Sequence, residues 1–175
     1  GKNLTIKNSS TSDTGGVTIC LKNDASNNTI INCNIIGSSF STNGIISFSD
    51  STITTGCCNN KIENCSIYGG NSATTYGIVL TGNILKYGEN NKILRNEIYD
   101  FSYCGISCDF FINTEIRGNN IYQTRTYSNE TIYGIVLQYE CKNTTISGNK
   151  ICNFRSSQSY PNYYGILINS AGDTI

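Results

Sequence analysis

The sequence predicts an all-β solenoid in which short parallel strands stack coil upon coil. The first observation is a recurring segment with isoleucine at its fourth and ninth positions, at 27–36 (NNTIINCNII), 59–68 (NNKIENCSIY), 90–99 (NNKILRNEIY), 113–122 (NTEIRGNNIY) and 143–152 (NTTISGNKIC). The second is an apolar run headed by glycine between these copies, as in GIISFS, GIVLTG and GILINS. The third is that the runs are separated by Gly, Asn and Ser and show no helical periodicity.

The spacing of the repeat predicts the number of coils. The intervals are 24, 32, 31, 23, 30 and 29 residues along the series Ile6, Ile30, Ile62, Ile93, Ile116, Ile146 and Ile175. These intervals indicate about six coils in one domain over 1–175, and hence a rod roughly 29 Å long at ~4.8 Å per coil.

Composition narrows the possible functions. The 175 residues are 38% hydrophobic, which fills one core if the apolar residues are placed economically. The 12 basic and 12 acidic residues give a formal net charge of zero, so we expect no nucleic-acid partner. The chain has no histidine, which excludes Ser-His and Cys-His mechanisms. No apolar stretch is long enough to predict a membrane span, and no signal peptide is visible.

The third residue after the first isoleucine of each repeat is expected to point inward, because both isoleucines reach the core only if the chain bends between them. These residues are Cys33, Cys65, Asn96, Asn119 and Asn149. Stacked ~4.8 Å apart, they would form an asparagine/cysteine ladder. The alternative is that the asparagines only form turns. Cys33 and Cys65 would be direct neighbours, either close enough for a disulfide or packed as small buried side chains.

These repeats resemble those of right-handed parallel β-helices in the pectate-lyase-like superfamily, and the resemblance covers practically the whole chain. It implies the fold more strongly than an activity, because that superfamily includes lyases, hydrolases, phage tailspikes, adhesins and surface-structure proteins. Polygalacturonase-like members use carboxylates with His and an RIK-type motif, which this sequence lacks. Pectate-lyase-like members bind calcium through Asp or Glu and use an Arg or Lys base.

Candidates for such a calcium site are poorly placed. Asp50, Asp109 and Glu140 follow glycine-headed strands, but Asp50 and Glu140 are expected to lie three coils, or ~14 Å, apart. Arg95 and Arg117 lie on a different run. We therefore expect solvated charges at strand ends, with no catalytic residue, metal or cofactor.

Tyrosines predict two columns. Tyr68, Tyr99 and Tyr122 each follow the second isoleucine of a repeat and should stack. Tyrosines before the glycine-headed strands form the other column, interrupted by Cys104: Tyr76, Tyr133 and Tyr164. If such a tyrosine stack is exposed, it would contact sugar rings. The interpretation that we favour is that the stacked rings support the turns.

The glycine-headed strands are apolar on both faces. The outward face is predicted to present Ile46, Val79, Val136 and Leu167. An apolar outer wall of this size needs a cover, either a long loop or, as we favour, a partner chain.

The ends of the sequence, GKNLTI and GDTI, are in the same phase of the coil and carry no capping segment. We expect either a fragment of a longer β-helix or head-to-tail stacking of copies. The nine cysteines include three that would be placed to crosslink such a stack: Cys20, Cys141 and Cys152.

The sequence thus predicts a non-catalytic structural protein, outside the cell or at its surface, that self-associates end to end or laterally as a sheath, filament, surface-layer or adhesin-like unit. The first alternative is a carbohydrate-active β-helix, either a polysaccharide lyase or a glycan-binding module. The second alternative is a phage or viral fibre segment, with the apolar wall as its trimer seam.

Overall fold

The computed structural model describes residues 2–11, 16–38, 40, 42–49, 56–70 and 74–169. All regular structure in these residues is β. The strands are β1 Leu4–Lys7, β2 Ile19–Lys22, β3 Thr29–Ile31, β4 Cys33–Gly37, β5 Ile46–Ser49, β6 Lys61–Glu63, β7 Ser66–Gly69, β8 Thr74–Thr81, β9 Gly88–Glu89, β10 Lys92–Leu94, β11 Glu97–Tyr99, β12 Phe101–Asp109, β13 Phe111–Ile112, β14 Glu115–Arg117, β15 Asn120–Tyr122, β16 Thr131–Gln138, β17 Thr145–Ser147, β18 Lys150–Ile151 and β19 Asn162–Asn169.

The strands form three long parallel sheets, and the chain passes through them in turn. Sheet 1 has the order β1-β4-β7-β11-β15-β18, sheet 2 the order β19-β16-β12-β8-β5-β2, and sheet 3 the order β17-β14-β10-β6-β3. A short fourth sheet pairs β13 with β9. The prediction of a parallel β-solenoid is confirmed, with about five turns where the spacing predicted about six coils. The described residues include no helix that is long and apolar enough to cross a membrane.

The two isoleucines of each repeat stack in register and fill the core. In sheet 3, Ile62 pairs with Ile93 and Ile93 with Ile116; in sheet 1, Ile67 pairs with Ile98. All five are fully buried. Each buried isoleucine contributes about 1.5–3 kcal/mol relative to an exposed one, so the repeat is mainly a device for building this core.

Left-handed residues make the bends on both sides of sheet 3. Before each strand of this sheet stands an asparagine with φ between 52° and 61°: Asn27, Asn59, Asn90, Asn113 and Asn143. After each strand, left-handed backbone recurs at Asn32, Asn64, Arg95, Gly118 and Gly148. Asparagine and glycine adopt this conformation with less strain than other residues, which explains the asparagine that heads every repeat.

The predicted inner ladder residues lie in one hydrogen-bonded column. The backbone amide of Cys65 donates to Oδ1 of Asn96 at 2.9 Å. Asn96 donates to Oδ1 of Asn119 from its backbone (2.9 Å) and from its side chain (3.1 Å), and Asn119 donates in the same way to Asn149. Asn96 and Asn119 are each 1% exposed, so these bonds satisfy polar groups deep in the protein. Cys33 occupies the corresponding place as the first residue of β4.

A second ladder, which the sequence did not predict, lies on the other side of sheet 3. Asn28 donates to Oδ1 of Asn60, and Asn60 donates to Oδ1 of Asn91, each from backbone and side chain. Thr114 and Thr144 take this position in the next two coils, where both are buried. The hydroxyls of these two threonines have no hydrogen-bond partner among the described residues.

The prediction of an exposed apolar wall is wrong for three of its four residues. Ile46 pairs with Ile78 rather than with Val79, so it faces the core and is fully buried. The reason is an irregularity at Ile45, whose amide donates to two carbonyls of the next coil. Val79 and Val136 lie outside the core cluster but are only 6% and 2% exposed, because other strands of sheet 2 lie on both sides of each.

The fourth residue of that predicted wall, Leu167, is partly exposed. It lies in β19, which pairs with β16 on one side only among the described strands. In this column, exposure among the described residues is therefore found at the two ends of sheet 2, at Leu167 and at Cys20, and not along its middle.

Both tyrosine columns are present. In the first, the ring centroids of Tyr68 and Tyr99 are 4.6 Å apart and those of Tyr99 and Tyr122 are 5.1 Å apart, nearly parallel. Burial raises the pKa of Tyr99. Because the rings cover one another's faces, this stack offers edges rather than faces to a ligand.

The second column is continuous, which corrects the expected gap at Cys104. Tyr103 lies between Tyr76 and Tyr133, with its ring centroid 5.2 Å from each. The register shifts between Phe101 and Cys104, and this shift brings Tyr103 into the column.

The three cysteines predicted to crosslink stacked copies are not placed where they could form such a disulfide. Cys141 is fully buried, and its thiol donates to the carbonyl of Cys108 at 3.0 Å. Cys20 is exposed on β2 of sheet 2, whereas Cys152 follows β18 of sheet 1. A head-to-tail stack would therefore place Cys20 and Cys152 on different sheets.

Cys33 and Cys65 immediately precede the paired residues Asn34 and Ser66 of sheet 1. Burial is the main cause that raises the pKa of the Cys65 thiol. A disulfide between the two cysteines stays a prediction.

Candidate binding groove

A groove of about 750 Å³ runs along the outer face of sheet 3. Its lining comes from equivalent positions of successive coils: Thr29, Asn59, Asn60, Lys61, Asn90, Lys92, Asn113, Thr114, Glu115, Asn143 and Thr145. The volume lies in the range of small-ligand sites, and every lining residue carries a polar or charged group. A site with this lining fits a hydroxyl-rich ligand better than an apolar one.

The local sequence explains why these side chains line the groove. Each strand of sheet 3 has only three residues, with the isoleucine in the middle, so strand alternation turns the first and third residues outward. The first residues are Thr29, Lys61, Lys92, Glu115 and Thr145. The left-handed asparagine lies two residues before each of them, at the edge of the same face.

The backbone amides of the edge asparagines hold neighbouring coils together. The N–H of Asn59 donates to the carbonyl of Glu89 at 2.8 Å, and that of Asn90 to the carbonyl of Ile112 at 3.1 Å. Their exposed side-chain amides have no hydrogen-bond partner among the described residues. Asn143 donates its side-chain amide to Oδ1 of Asn113 at 3.3 Å. The groove edge therefore offers amide donors and acceptors that the fold itself uses little.

Charges in and beside the groove are paired. Nζ of Lys61 is 2.8 Å from Oε2 of Glu63, which also bonds Arg95. Nζ of Lys92 is 3.7 Å from Oε2 of Glu115. Glu115 also accepts from Arg117, at 2.9 Å. These pairs leave no strong field of one sign along the groove, unlike a site built to hold a polyanion.

The carboxylates considered for calcium do not come together. Asp109 lies at the end of β12, and burial raises its pKa; its Oδ1 has no partner among the described residues. Glu140 is bound by Tyr87 and Lys142, and the hydrogen bond from Tyr87 is the main cause that lowers its pKa. Asp50 lies outside the described residues, among which no group of three or more His, Cys, Asp or Glu side chains is placed to hold a metal ion.

The side chains predicted as sites lie elsewhere on the described part of the molecule. The inner ladder is buried, the tyrosine stack lies on sheet 1, and the apolar residues lie on sheet 2. The sequence analysis assigned no functional role to the asparagine that heads each repeat. Its recurrence five times in one register was the signal that predicts an aligned edge.

Comparisons with protein-family models, with curated proteins and with solved structures gave no match to this chain.

Proposed function

We propose that the protein binds an extended, uncharged polysaccharide along the groove of sheet 3. The observation that carries the proposal is the edge of exposed amides, Asn59, Asn90, Asn113 and Asn143, repeated once per coil beside the threonines and paired charges of the strands. Binding of this kind fits the extracellular or cell-surface location expected from the sequence.

Periodicity supports this ligand class. Neighbouring parallel strands lie ~4.8 Å apart, which is comparable to the length of one sugar unit in an extended glycan chain. Each coil then offers the same amide to successive sugars, and an amide both donates to and accepts from hydroxyl groups. A small ligand would use only one or two of the coils that line the groove.

Charge pairing supports an uncharged chain. Lys61 and Lys92 are the groove cations, and each lies beside a glutamate. A polyuronate would have to compete with Glu63 and Glu115 for these lysines, whereas a neutral glycan leaves the ion pairs intact.

The test is a glycan array followed by calorimetry on the double variant Asn90→Gly/Asn113→Gly. Glycine keeps the left-handed backbone and removes only the amide, so stability should be nearly unchanged. Loss of two to four hydrogen bonds predicts at least about a tenfold loss of affinity for the neutral glycan.

Asn153→Gly is the matched control, because Asn153 is also left-handed and exposed but lies outside the groove. It should bind as the wild type does. An array without any glycan bound by the wild type, or equal affinities for the double variant and the control, would refute the proposal.

A second candidate, the self-associating surface unit predicted from the sequence, is favoured by one observation. The last described strand, β19, carries four large apolar side chains that are 41–46% exposed: Tyr163, Tyr164, Ile166 and Ile168. The equivalents of the two isoleucines in β16, Ile135 and Leu137, are fully buried. Under this candidate, β2 of a second copy adds to β19 and continues sheet 2.

Register gives that candidate a sharp test. Cys20 and Leu167 share one column of sheet 2, through Ser47, Val79, Ser107 and Val136. In the proposed stack, Cys20 of one copy lies beside Leu167 of another. Leu167→Cys should then give disulfide-linked multimers on non-reducing gels, and these should disappear when Cys20→Ser is added.

Gly165→Ala is a second variant, chosen to block assembly at β19 without disturbing the single chain. No atom of the described residues lies within 4 Å of a Cβ added at Gly165, so the single chain should tolerate it. At the equivalent Gly134, the added Cβ meets the carbonyl oxygen of the next strand. The change should therefore block a strand from adding to β19. Monomeric mass by light scattering at all concentrations, with no multimers from Leu167→Cys, would rule out this candidate.

A further inference from the structure

Three aromatic side chains from successive coils meet at the corner between sheet 2 and sheet 3. The rings of Phe110 and Tyr139 are stacked, with centroids 5.7 Å apart and planes 11° apart. The ring of Tyr87 lies 6.5 Å from that of Phe110. Tyr139 is 61% exposed, and the other two are partly exposed. We call Tyr87, Phe110 and Tyr139 the aromatic shelf.

The backbone of the aromatic shelf is strained in a way that the fold does not require. Phe110 has φ of 57° and Tyr139 has φ of 40°, a conformation that is unfavourable for bulky side chains. Both residues directly follow a strand of sheet 2. In the first coil the same position, after β2, is Asn23, with φ of 52°. Asparagine adopts this backbone conformation with little strain. Phe110 and Tyr139 therefore keep a strained conformation at a position where asparagine would relieve the strain.

Polar groups border the aromatic shelf. The hydroxyl of Tyr87 donates to the carboxylate of Glu140. Nζ of Lys142 donates to the same carboxylate at 3.0 Å and lies 5.1 Å from the centroid of the Tyr87 ring. The single negative charge of Glu140 is thus balanced by Lys142. The border offers hydrogen-bonding groups without net charge.

The aromatic shelf adjoins the groove. Tyr87 precedes the groove residue Asn90 by three positions, and Phe110 precedes Asn113 by three. Only the short paired strands β9 and β13 lie between them. A glycan lying along the edge asparagines therefore passes within about two sugar lengths of the aromatic rings, since three strand residues span only ~10 Å.

We propose that the aromatic shelf is a stacking subsite for a neutral pyranose ring, as a branch or a neighbouring unit of the glycan in the groove. The inference rests on the proposed function and adds to it a subsite on a different corner of the coil. Phe110 covers one face of the Tyr139 ring, which is still 61% exposed, so the pyranose packs its apolar C–H face on the exposed part of Tyr139. Its equatorial hydroxyls reach Glu140, Lys142 and the Tyr87 hydroxyl. A charged sugar would find no unpaired opposite charge here, because Glu140 and Lys142 are paired with each other.

The decisive variants are Phe110→Asn and Tyr139→Asn. Each removes a ring and supplies the residue that the first coil uses at this position. We therefore expect the thermal stability of both variants to equal or exceed that of the wild type. A shelf that only supports the fold predicts the opposite, a loss of stability.

Binding is measured with two probes. Methyl β-D-glucopyranoside, followed by saturation-transfer NMR, reports on a single pyranose, and a panel of neutral hexasaccharides, followed by calorimetry, reports on the groove and shelf together. The shelf variants should lose the glucoside signal and bind the hexasaccharide about tenfold more weakly. Tyr160→Asn, which removes a ring that is 92% exposed elsewhere, should change neither measurement.

The outcomes separate this inference from the proposed function. If the shelf variants bind both probes as the wild type does, the inference is overturned and the groove proposal stands. If the wild type binds the glucoside through the shelf but no hexasaccharide, the groove proposal is overturned, and the shelf stands only as a subsite for a single pyranose. If neither probe binds, both are overturned. Shelf-dependent flotation with phosphatidylcholine vesicles, through neighbours such as the exposed Ile84 and Leu85, would identify a lipid surface instead and overturn the inference.

Discussion

Replacing Asn119 by alanine removes four hydrogen bonds from the middle of the inner ladder. Oδ1 of Asn119 accepts from the backbone and the side chain of Asn96, and its amide donates to the carbonyl of Ile93 and to Oδ1 of Asn149. Alanine leaves two donors of Asn96 and the carbonyl of Ile93 with fewer partners in a buried setting. At about 1 kcal/mol for each bond, Asn119→Ala should lower the free energy of unfolding by about 4 kcal/mol.

Asn120→Ala is the matched control for Asn119→Ala. Asn120 is the next residue and is partly buried, but its Oδ1 has no hydrogen-bond partner among the described residues. Its replacement should change the free energy of unfolding by less than about 1 kcal/mol. Urea denaturation followed by circular dichroism gives both values, provided that the m-value is unchanged. Equal effects of the two substitutions would refute the idea that the ladder stabilises the solenoid.

Two further predictions concern the core and its edge. Burial raises the pKa of Tyr127 from 10.0 to about 12, so a stabilising contribution present below pH ~10 should be lost as the pH rises towards 12. Tyr127→Phe should flatten that alkaline decline in denaturation at stepped pH without a loss near pH 7, because the hydroxyl has no partner in the described structure. Gly105→Ala places a Cβ 2.7 Å from the carbonyl oxygen of Gly134 and should destabilise the chain by about 1–3 kcal/mol. Gly165→Ala, whose added Cβ has no neighbour within 4 Å in the described part of the chain, should stay within about 0.5 kcal/mol in the same denaturation assay.

Much of the fold follows from the repeat because the same side chains recur at the same phase. Ile62 and Ile93 pair as predicted, and Asn96, Asn119 and Asn149 follow one another in a single column. In a solenoid, neighbouring coils are the main packing environment, so aligning the repeats of the sequence amounts to aligning the strands.

Register within the glycine-headed strands was harder to predict, because local backbone conformation shifts it by one residue. Gly44 has φ of +75°, and the amide of Ile45 is shared between two carbonyls, so Ile46 turns inward. A similar shift before Cys104 moves Tyr103 into the tyrosine column. Nothing in the letters GI or CGI distinguishes a regular strand from an irregular one.

The groove was missed for a different reason. Asn59, Asn90, Asn113 and Asn143 have a backbone role as left-handed residues, which by itself explains why asparagine recurs at this position. Only the three-dimensional arrangement shows that their exposed amides line the same groove as the first residues of sheet 3. Two of the ion pairs beside them, Lys92 with Glu115 and Arg95 with Glu63, also join different coils, so the sequence order does not reveal the full electrostatic balance.

The most direct test of the central claim is the affinity for neutral oligosaccharides as a function of their length. The edge asparagines from Asn59 to Asn143 span three coil intervals, or ~14 Å, and the strand residues from Thr29 to Thr145 span about 19 Å. If the glycan lies along the solenoid axis, the affinity should rise with each added sugar up to about four or five units and then level off. Affinity that is complete with a disaccharide, or that rises only for charged oligosaccharides, would contradict the account.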